Sequence, residues 1–445
     1  MSESDSLRDP LHAGDAASGA RTAVAVSHKA LPLRRESAAH GTPTPNALAR
    51  SAGADAMRVA ADDAALAVEK IDNAAGFAAL QTEWNELLQA SRADGLFLTW
   101  EWLYTWWKHL REDRQLEIVT VRRGARLVAI APLALRPSRM RRLVPFPVLE
   151  FLGAGSVGSD YLDVLIHRDD EHAAVTRLAQ CLAGHKRMLE LAQVGRDARV
   201  ADLAAALARH GWPSFCRTTD LCPYIDLTGQ SWESYLDSLG AAHRYNFRRR
   251  LRNLSKQFDV RFERADSEAE RREAMRLLIA LHRKRWRGRA DADAFHEPGL
   301  LAFHEELSAA ALRRGWLRLY VLRLDGQPAA ALYGFNYNRV FYFYQSGFDP
   351  DFNKYSVGLV IMGLAIKSAI EEGVALYDFL HGDEQYKFLW ARQSRELRRF
   401  ELYPPSARGA FYRRAMNFRG SIKRWFGAPA AAARITESAT ARDVA

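Results

Sequence analysis

Aromatic residues are absent from the first part of this 445-residue chain, because no Phe, Trp or Tyr occurs before Phe77. Residues 1–62 consist mostly of Ala, Ser, Gly, Asp and Arg. Such a composition buries too little apolar surface to offset the entropy of an ordered chain. No apolar run follows the basic residues of this stretch, as a secretory signal would require. We expect residues 1–62 to form a disordered tail on a cytoplasmic protein.

Cysteine and long apolar runs are also scarce. Cys181, Cys216 and Cys222 form no C-x-x-C pair, which fits a reducing compartment better than a disulfide scaffold. The longest apolar run, residues 358–370, contains Lys367 and is shorter than the roughly 20 residues that cross a bilayer. The sequence therefore predicts a protein without a transmembrane helix.

Metal-binding spacings are missing as well. His296 with Glu297 and His304 with Glu305 do not form the H-E-x-x-H pattern that places two histidines on one helix face. We interpret all four as surface helix residues and expect no metal.

Acidic residues are absent from two strongly basic segments, residues 244–256 and 408–424, although the formal net charge of the whole chain is only +10. Such segments attract phosphates, anionic lipid or nucleic acid, but a solvated helix face explains a single basic run more often. Apolar side chains recur at spacings of three and four in the second segment: Phe411, Ala415, Phe418, Ile422 and Trp425. Residues 404–428 are therefore expected to form a basic amphipathic helix, followed by a disordered tail at 429–445. The part from 408 to 426 would either contact an anionic membrane, peripheral to the inner membrane, or dock on the protein itself.

The same order of predicted elements occurs twice, in a chain long enough for two cores. Each half reads β-β-β-α-β-α-β from its apolar periods and turn residues. The first half has predicted strands at residues 116–121, 127–135, 149–152 or 161–166, 188–194 and 224–227, and helices at 100–110, 171–183 and 198–210. The second has strands at 319–324, 329–335, 340–345, 375–380 and 398–402, and helices at 232–258, 267–285, 357–372 and 385–393. We predict an α/β (α+β) chain with mixed sheets flanked by helices, divided at residues 66–228 and 229–403.

A polar cluster follows the predicted strand at residues 375–380, and the ends of strands are where open α/β sheets gather catalytic groups. Acyl transfer needs a base for the acceptor and an acid for the leaving group. Asp378 or His381 could act as the base and Tyr386 as the acid, while Lys387 could hold a phosphate. Ordinary turn chemistry is the alternative, with Asp378 capping the turn and Lys387 paired with Glu384.

Three stretches resemble the CelD and FemAB-like branch of the GNAT acyltransferase superfamily, which includes BioF-like acetyltransferase domains associated with exopolysaccharide synthesis. They are FLTWEWLYTWW at residues 97–107, DYLD at 160–163 and YDFLHGDEQYK at 377–387. The resemblance spans residues 66–403 and implies two GNAT folds in tandem, with the active site in the second.

The resemblance also implies acetyl-CoA or another acyl-CoA as cosubstrate, bound where the fourth and fifth strands separate, with its pyrophosphate at the start of the intervening helix. Unpaired amides and the helix dipole make that end an anion site. The corresponding cofactor-binding residues are Tyr344, Gly347, Tyr355, Ser356 and Gly358. The family's usual loop of Gln or Arg, x, x, Gly, x, Gly or Ala is absent, and only Gly358 preserves its close backbone approach.

The candidate catalytic residues are thus Asp378, His381 and Tyr386. Trp102, Arg248, Asp383 and Lys387 are candidate substrate-binding residues. The aromatic helix that carries Trp102 could stack on sugar rings, although such side chains more often belong to a core.

The function that the resemblance implies is bacterial N-acyl transfer to an amino sugar, a nucleotide-sugar or an envelope or exopolysaccharide precursor. Two alternatives stay open. The missing phosphate loop and the arginine-rich helix at residues 244–256 would suit a Fem-type transferase that uses aminoacyl-tRNA. A non-catalytic accessory protein of polysaccharide synthesis would use the same aromatic and basic surfaces. Transfer RNA is expected only under the first alternative, and no DNA partner is expected.

Overall fold

The computed structural model describes residues 66–137, 147–285, 295, 297–407, 409–411 and 413–414. The tails expected at residues 1–62 and 429–445, and most of the amphipathic helix expected at 404–428, lie outside the described residues. Within them, no helix is long and apolar enough to cross a membrane.

The first half of the described chain builds nine strands and five helices. The strands are β1 (Leu66–Ile71), β2 (Gln115–Leu116), β3 (Ile118–Arg123), β4 (Arg126–Ala131), β5 (Leu133–Arg136), β6 (Val148–Phe151), β7 (Leu165–Ile166), β8 (Met188–Gly195) and β9 (Ser214–Asp226). The helices are α1 (Ala74–Ala79), α2 (Gln81–Ala90), α3 (Trp100–Leu110), α4 (Glu171–His185) and α5 (Val200–Arg209). Strand β1 and helices α1 and α2 add to the predicted elements, and both candidate positions for the third strand, β6 and β7, are strands.

The second half contributes six strands and six helices. The strands are β10 (Val260–Arg264), β11 (Leu317–Leu324), β12 (Gln327–Tyr337), β13 (Val340–Phe348), β14 (Leu376–Asp378) and β15 (Gln393–Leu402). The helices are α6 (Trp232–Ser238), α7 (Ala241–Gln257), α8 (Glu268–Arg285), α9 (Pro298–Arg313), α10 (Val357–Glu371) and α11 (Gln385–Trp390). Two turns of left-handed backbone, Asp325 with Gly326 and Asn338 with Arg339, connect β11, β12 and β13 as tight hairpins.

One sheet runs through both halves. It has eleven strands in the order β10-β11-β12-β13-β14-β9-β15-β8-β6-β5-β2, and a separate sheet has the order β1-β3-β4-β7. The last strand of each half lies beside a strand of the other half: β9 pairs with β14, and β15 pairs with β8. The fold is a mixed α/β fold, as predicted, and this exchange of strands brings side chains of the first half against the end of β14. The chain division at residues 66–228 and 229–403 stays a prediction.

The parallel pair of β13 and β14 separates after three residue pairs, the last being Tyr342 with Asp378. Strand β13 continues to Phe348, whereas the chain after Asp378 follows β9, with the Phe379 amide donating to the Pro223 carbonyl at 2.9 Å. A gap therefore opens between the end of β13 and the segment that follows β14.

Helix α8 packs on β13 so closely that the strand requires glycine. A Cβ on Gly347 would lie 2.5 Å from the backbone nitrogen of His282, and helix backbone cannot move aside as a flexible side chain can. We predict that Gly347→Ala lowers the free energy of unfolding by about 2–3 kcal/mol or prevents folding.

The matched control is Gly184→Ala in α4, where a Cβ meets no atom within 4 Å. This change should raise the unfolding free energy by up to about 1 kcal/mol, since alanine favours a helix over glycine. Chemical denaturation of both variants measures the difference. Equal effects would contradict the packing described for β13 and α8.

Candidate active site

Asp378 is the last residue of β14 and is fully buried. One of its carboxylate oxygens accepts a hydrogen bond from the Tyr161 hydroxyl at 2.7 Å, and the other accepts one from the Leu380 amide at 2.8 Å. Burial raises the pKa of Asp378 to about 6, and these two hydrogen bonds limit the rise. Asp378 therefore joins a residue of the first half to the turn after β14, in which Leu380 has a φ of 57°.

His381 follows in this turn and pairs with Asp160 of the first half. Its backbone amide donates to one Asp160 carboxylate oxygen at 2.8 Å, and its Nδ1 lies 2.8 Å from the other. Asp160 is fully buried, whereas 39% of the His381 side chain is exposed. The Asp160 hydrogen bond raises the pKa of His381 above its usual value, although burial opposes the rise. Because the carboxylate can only accept, Nδ1 carries a proton and Nε2 of the neutral ring can accept one.

A buried network connects the Tyr161–Asp378 pair with the Asp160–His381 pair. The Cys222 thiol lies 3.7 Å from an Asp160 oxygen, and burial followed by the charges of Asp160 and Asp378 raises its pKa well above the usual range. The thiol therefore stays protonated and can donate to Asp160. The Asp160 charge in turn contributes to the raised pKa of Asp378.

Lys387 braces the turn that carries His381. Its ammonium group donates to the His381 carbonyl at 2.7 Å and pairs with Glu384 at 2.9 Å, and only 4% of the side chain is exposed. The ion pair with Glu384 is the one that the sequence analysis gave as the alternative to a phosphate-binding role for Lys387. A lysine so placed holds the loop, and its role in substrate binding stays a prediction.

The start of α10 faces the gap beside β13. Ser356 has left-handed backbone, and Gly358 lies against Phe348, whose ring would be 3.4 Å from a Cβ at that position. The first turn of α10 contains no acid, so its free amides present an anion site. Tyr355 packs its ring against Phe258 at 5.0 Å between centroids.

The corresponding helix of the first half differs in charge. Asp170, immediately before α4, is buried and paired with Arg123 and Arg126 at 2.9 and 2.7 Å. Glu171 begins the helix itself. Arginines pair with both acids, Arg92 and Arg199 with Glu171 as well, so the placement of the anion site in the second half stays a prediction.

Two of the predicted ligand-binding residues, Trp102 and Gly347, are buried, and Tyr344 is partly buried. Trp102 is fully buried and donates from its indole nitrogen to Ser159 at 2.8 Å, which places it in the core. Gly347 faces the backbone of α8, as described above. The Tyr344 hydroxyl donates to the Val157 carbonyl of the first half.

The other predicted residues reach the surface. Asp383 and Arg248 are exposed, and Tyr386 is 37% exposed at the start of α11. Nothing in the geometry assigns Arg248 to the gap, and its role stays a prediction.

His304 was expected on the surface but is buried on α9. Its Nε2 is 3.5 Å from the Tyr344 hydroxyl, and burial lowers the pKa of His304 to about 3. The apolar face of α9 that carries it packs against the large sheet. His296, which was also expected on the surface, lies outside the described residues.

Sequence reasoning missed the partners that the first half supplies. Asp160 and Tyr161 were noticed only as part of a resemblance, because their contacts with His381 and Asp378 join residues more than 200 positions apart. Arg285, at the end of α8, was also missed. Its guanidinium lies 4.7 Å from the centre of the Phe348 ring, at the mouth of the gap.

Residues 241–388 match the family model described as "Acetyltransferase (GNAT) domain". No curated protein matches the chain significantly. Among solved structures, FemX is similar with a TM-score of 0.53 and 12% identity, covering 75% of this chain and 96% of FemX. That similarity shows the fold.

Two further solved structures are similar at lower TM-scores. The C-terminal domain of a putative lysylphosphatidylglycerol synthetase from Agrobacterium fabrum has a TM-score of 0.46 and 13% identity, covering 76% of this chain and 96% of that one. A tandem GNAT protein from the clavulanic acid biosynthesis pathway has a TM-score of 0.42 and 13% identity, covering 76% and 100%.

The Asp160 hydrogen bond predicts how His381 titrates. Asp160→Asn removes the negative charge and should lower the pKa of His381, as followed by NMR of its ring protons. Asp220→Asn, which removes a more weakly interacting charge, should lower it much less. The pair stabilises the fold below the ordinary histidine pKa, and this stabilisation is lost as the pH rises through the raised value. An unchanged His381 titration in Asp160→Asn would contradict the pairing.

Proposed function

We propose that this chain is an acyl-CoA-dependent N-acyltransferase with His381 as its general base, since residues 241–388 match the GNAT acetyltransferase family model. The observation that carries the proposal is the pairing of the partly exposed His381 with the buried Asp160. His381 lies in the turn after β14, where β13 and β14 separate. A carboxylate that holds one imidazole nitrogen prepares the other to take a proton.

The gap beside β13 suits the donor. Residues 343–348 of β13 have no strand partner on this side among the described residues, so their backbone groups can bond the amides of coenzyme A's pantetheine arm. The acid-free start of α10 suits its pyrophosphate. Tyr355, Ser356 and Gly358 are the residues that we propose contact the donor.

The chemistry then follows from the side chains. The acceptor amine attacks the thioester carbonyl carbon, His381 Nε2 takes the amine proton, and the carbon–sulfur bond breaks as the tetrahedral intermediate collapses. Burial raises the pKa of Tyr386, so its hydroxyl stays protonated before the reaction. We assign to it the transfer of a proton to the leaving thiolate, after which the proton that His381 has taken, or one from water, restores the hydroxyl. Asp378 is fully enclosed by Tyr161 and the turn, so we assign it a positioning role.

For the acceptor we propose an amino sugar, a nucleotide-sugar or an envelope or exopolysaccharide precursor. Support for this class comes from the CelD-like resemblance of residues 97–107, 160–163 and 377–387.

A Fem-type transferase that uses aminoacyl-tRNA is the second candidate. The observation that favours it is the arginine-rich helix α7, together with the absence of the usual phosphate loop. It predicts tRNA binding that weakens steeply with salt, and weak binding that does not change with salt would contradict it.

Calorimetry with acetyl-CoA and longer acyl-CoA at concentrations up to the millimolar range tests the donor. We expect one site per chain. Gly358→Asp places a carboxylate at the start of α10 and should weaken binding at least tenfold, since it opposes the helix dipole and the pyrophosphate.

Gly240→Asp is the matched control. It adds the same charge before α7, where a Cβ meets no atom within 4 Å, and should leave donor affinity unchanged. Absence of acyl-CoA binding to the unaltered chain would refute the proposal.

His381→Gln tests the base. Turnover should fall by roughly 10²–10⁴-fold without a change in donor affinity, because only proton transfer is lost. The product is detected by mass spectrometry with amino sugars and amino-bearing nucleotide-sugars as acceptors. In the unaltered enzyme, kcat/KM should fall as the pH drops below the His381 pKa, since the base must be neutral. His109→Gln, at a histidine paired with Glu306, is the control, and equal activity of both variants would rule out His381 as the base.

A further inference from the structure

Large apolar side chains are exposed mainly near the candidate site. Four of the seven that are exposed among the described residues lie on α7 and α11: Tyr245 at 67%, Tyr386 at 37%, Phe388 at 42% and Leu389 at 53%. A fifth, Leu221, accepts the Gly382 amide through its carbonyl and so lies beside the His381 turn. A concentration of exposed apolar side chains marks a contact surface.

Helices α7 and α11 are neighbours. Trp390 at the end of α11 is buried against α7, with ring centroids 4.5 Å from His243 and 5.6 Å from Phe247. Phe388 and Leu389, immediately before Trp390, are exposed. We name the exposed faces of α7 and α11 together the α7–α11 surface.

The α7–α11 surface is also basic. Helix α7 contains no acid, and its exposed cations are Arg248, Arg249, Arg252 and Lys256. Asp237 offsets part of this charge, at 3.8 Å from Arg248, and Glu384 is occupied by Lys387. Among the described residues, no acid pairs with Arg252 or Lys256. The surface therefore combines uncompensated positive charge with exposed apolar side chains.

A cavity of about 320 Å³ opens beside these arginines, between α6 and α7. Its wall is mainly apolar, formed by Trp232, Leu236, Phe247 and Leu251. Arg248 and Arg252 line it as well, and Glu233 offsets part of their charge. An apolar recess next to cations accommodates an acyl chain below a negatively charged headgroup.

We propose that the α7–α11 surface binds the anionic lipid surface of a membrane. Arginines and aromatic or aliphatic side chains on one surface are the composition of an interfacial membrane contact. An RNA partner would use the exposed Tyr245 ring for base stacking and the arginines for its phosphates. Exposed Phe388 and Leu389 give a phosphate backbone nothing to bind. The combined features favour lipid.

Membrane binding would place the mouth of the candidate site at the lipid surface, because His381 lies only four residues before α11. The inference that an active site faces the lipid rests on the proposed function. Binding of the chain to the membrane does not depend on that function, and it is measured without donor or acceptor.

Vesicle flotation of the full chain tests the proposal. The chain should bind vesicles of phosphatidylcholine with phosphatidylglycerol, and bind phosphatidylcholine alone weakly. The double variant Phe388→Ser with Leu389→Ser, and the separate double variant Arg249→Gln with Arg252→Gln, should each reduce binding about tenfold or more. All four side chains are exposed, so thermal unfolding should be unchanged.

Phe411→Ser is the matched control, because Phe411 is 57% exposed on the carboxyl-terminal segment, which is basic as well. This variant should bind vesicles normally. Loss of binding in Phe411→Ser with full binding in both double variants would overturn the proposal. So would an unaltered chain that binds tRNA but no anionic vesicle.

Discussion

The hydrogen-bonded pair of Asp160 and His381 is the interaction on which the candidate site depends. A fully buried carboxylate is costly unless it is matched by donors, and here His381 supplies both its backbone amide and its ring nitrogen. The pair joins the two halves of the chain, so neither half contains the site alone. The exchange of β9 and β15 makes the pairing possible, because β9 carries the first half to the edge of β14.

The two halves share a plan but differ at the gap beside their parallel strands. In the first half, residues 160–163 occupy that region: the Leu162 amide donates to the Gln193 carbonyl of β8 at 2.9 Å. The Tyr161 ring lies beside Gly195, 3.5 Å from the position of a Cβ there. The same segment carries Asp160 and Tyr161 to the second half. The first half thus fills its own gap with the segment that also supports the site of the second half.

Local patterns were sufficient for much of the fold. Alternating apolar residues and turn dipeptides predicted β11 to β13, and a continuous apolar run ended by Gly373 predicted α10. The same patterns underestimated β9, which extends from Ser214 through residues with little apolar alternation and is held by its neighbours in the sheet. Tertiary pairing of this kind overrides strand propensity.

The site was predictable only in part. Asp378 ends a strand and His381 follows it, and this position alone identified them as candidate catalytic residues. The partner of His381 lies 221 residues away, and no local pattern reveals such a contact. Composition could not place Trp102, because an aromatic helix in a core and one at a sugar site have the same composition. The burial of Lys387 could not be predicted either, because it depends on the carbonyls of the His381 turn.

The most direct test of the shared site is a double-mutant cycle on kcat/KM with Asp160→Asn, His381→Gln and both together. If Asp160 acts through His381, the double variant should be no slower than His381→Gln alone, since the carboxylate has no further role once the base is removed. If the fold losses in kcat/KM of the two single variants instead multiply in the double variant, Asp160 does not act through His381.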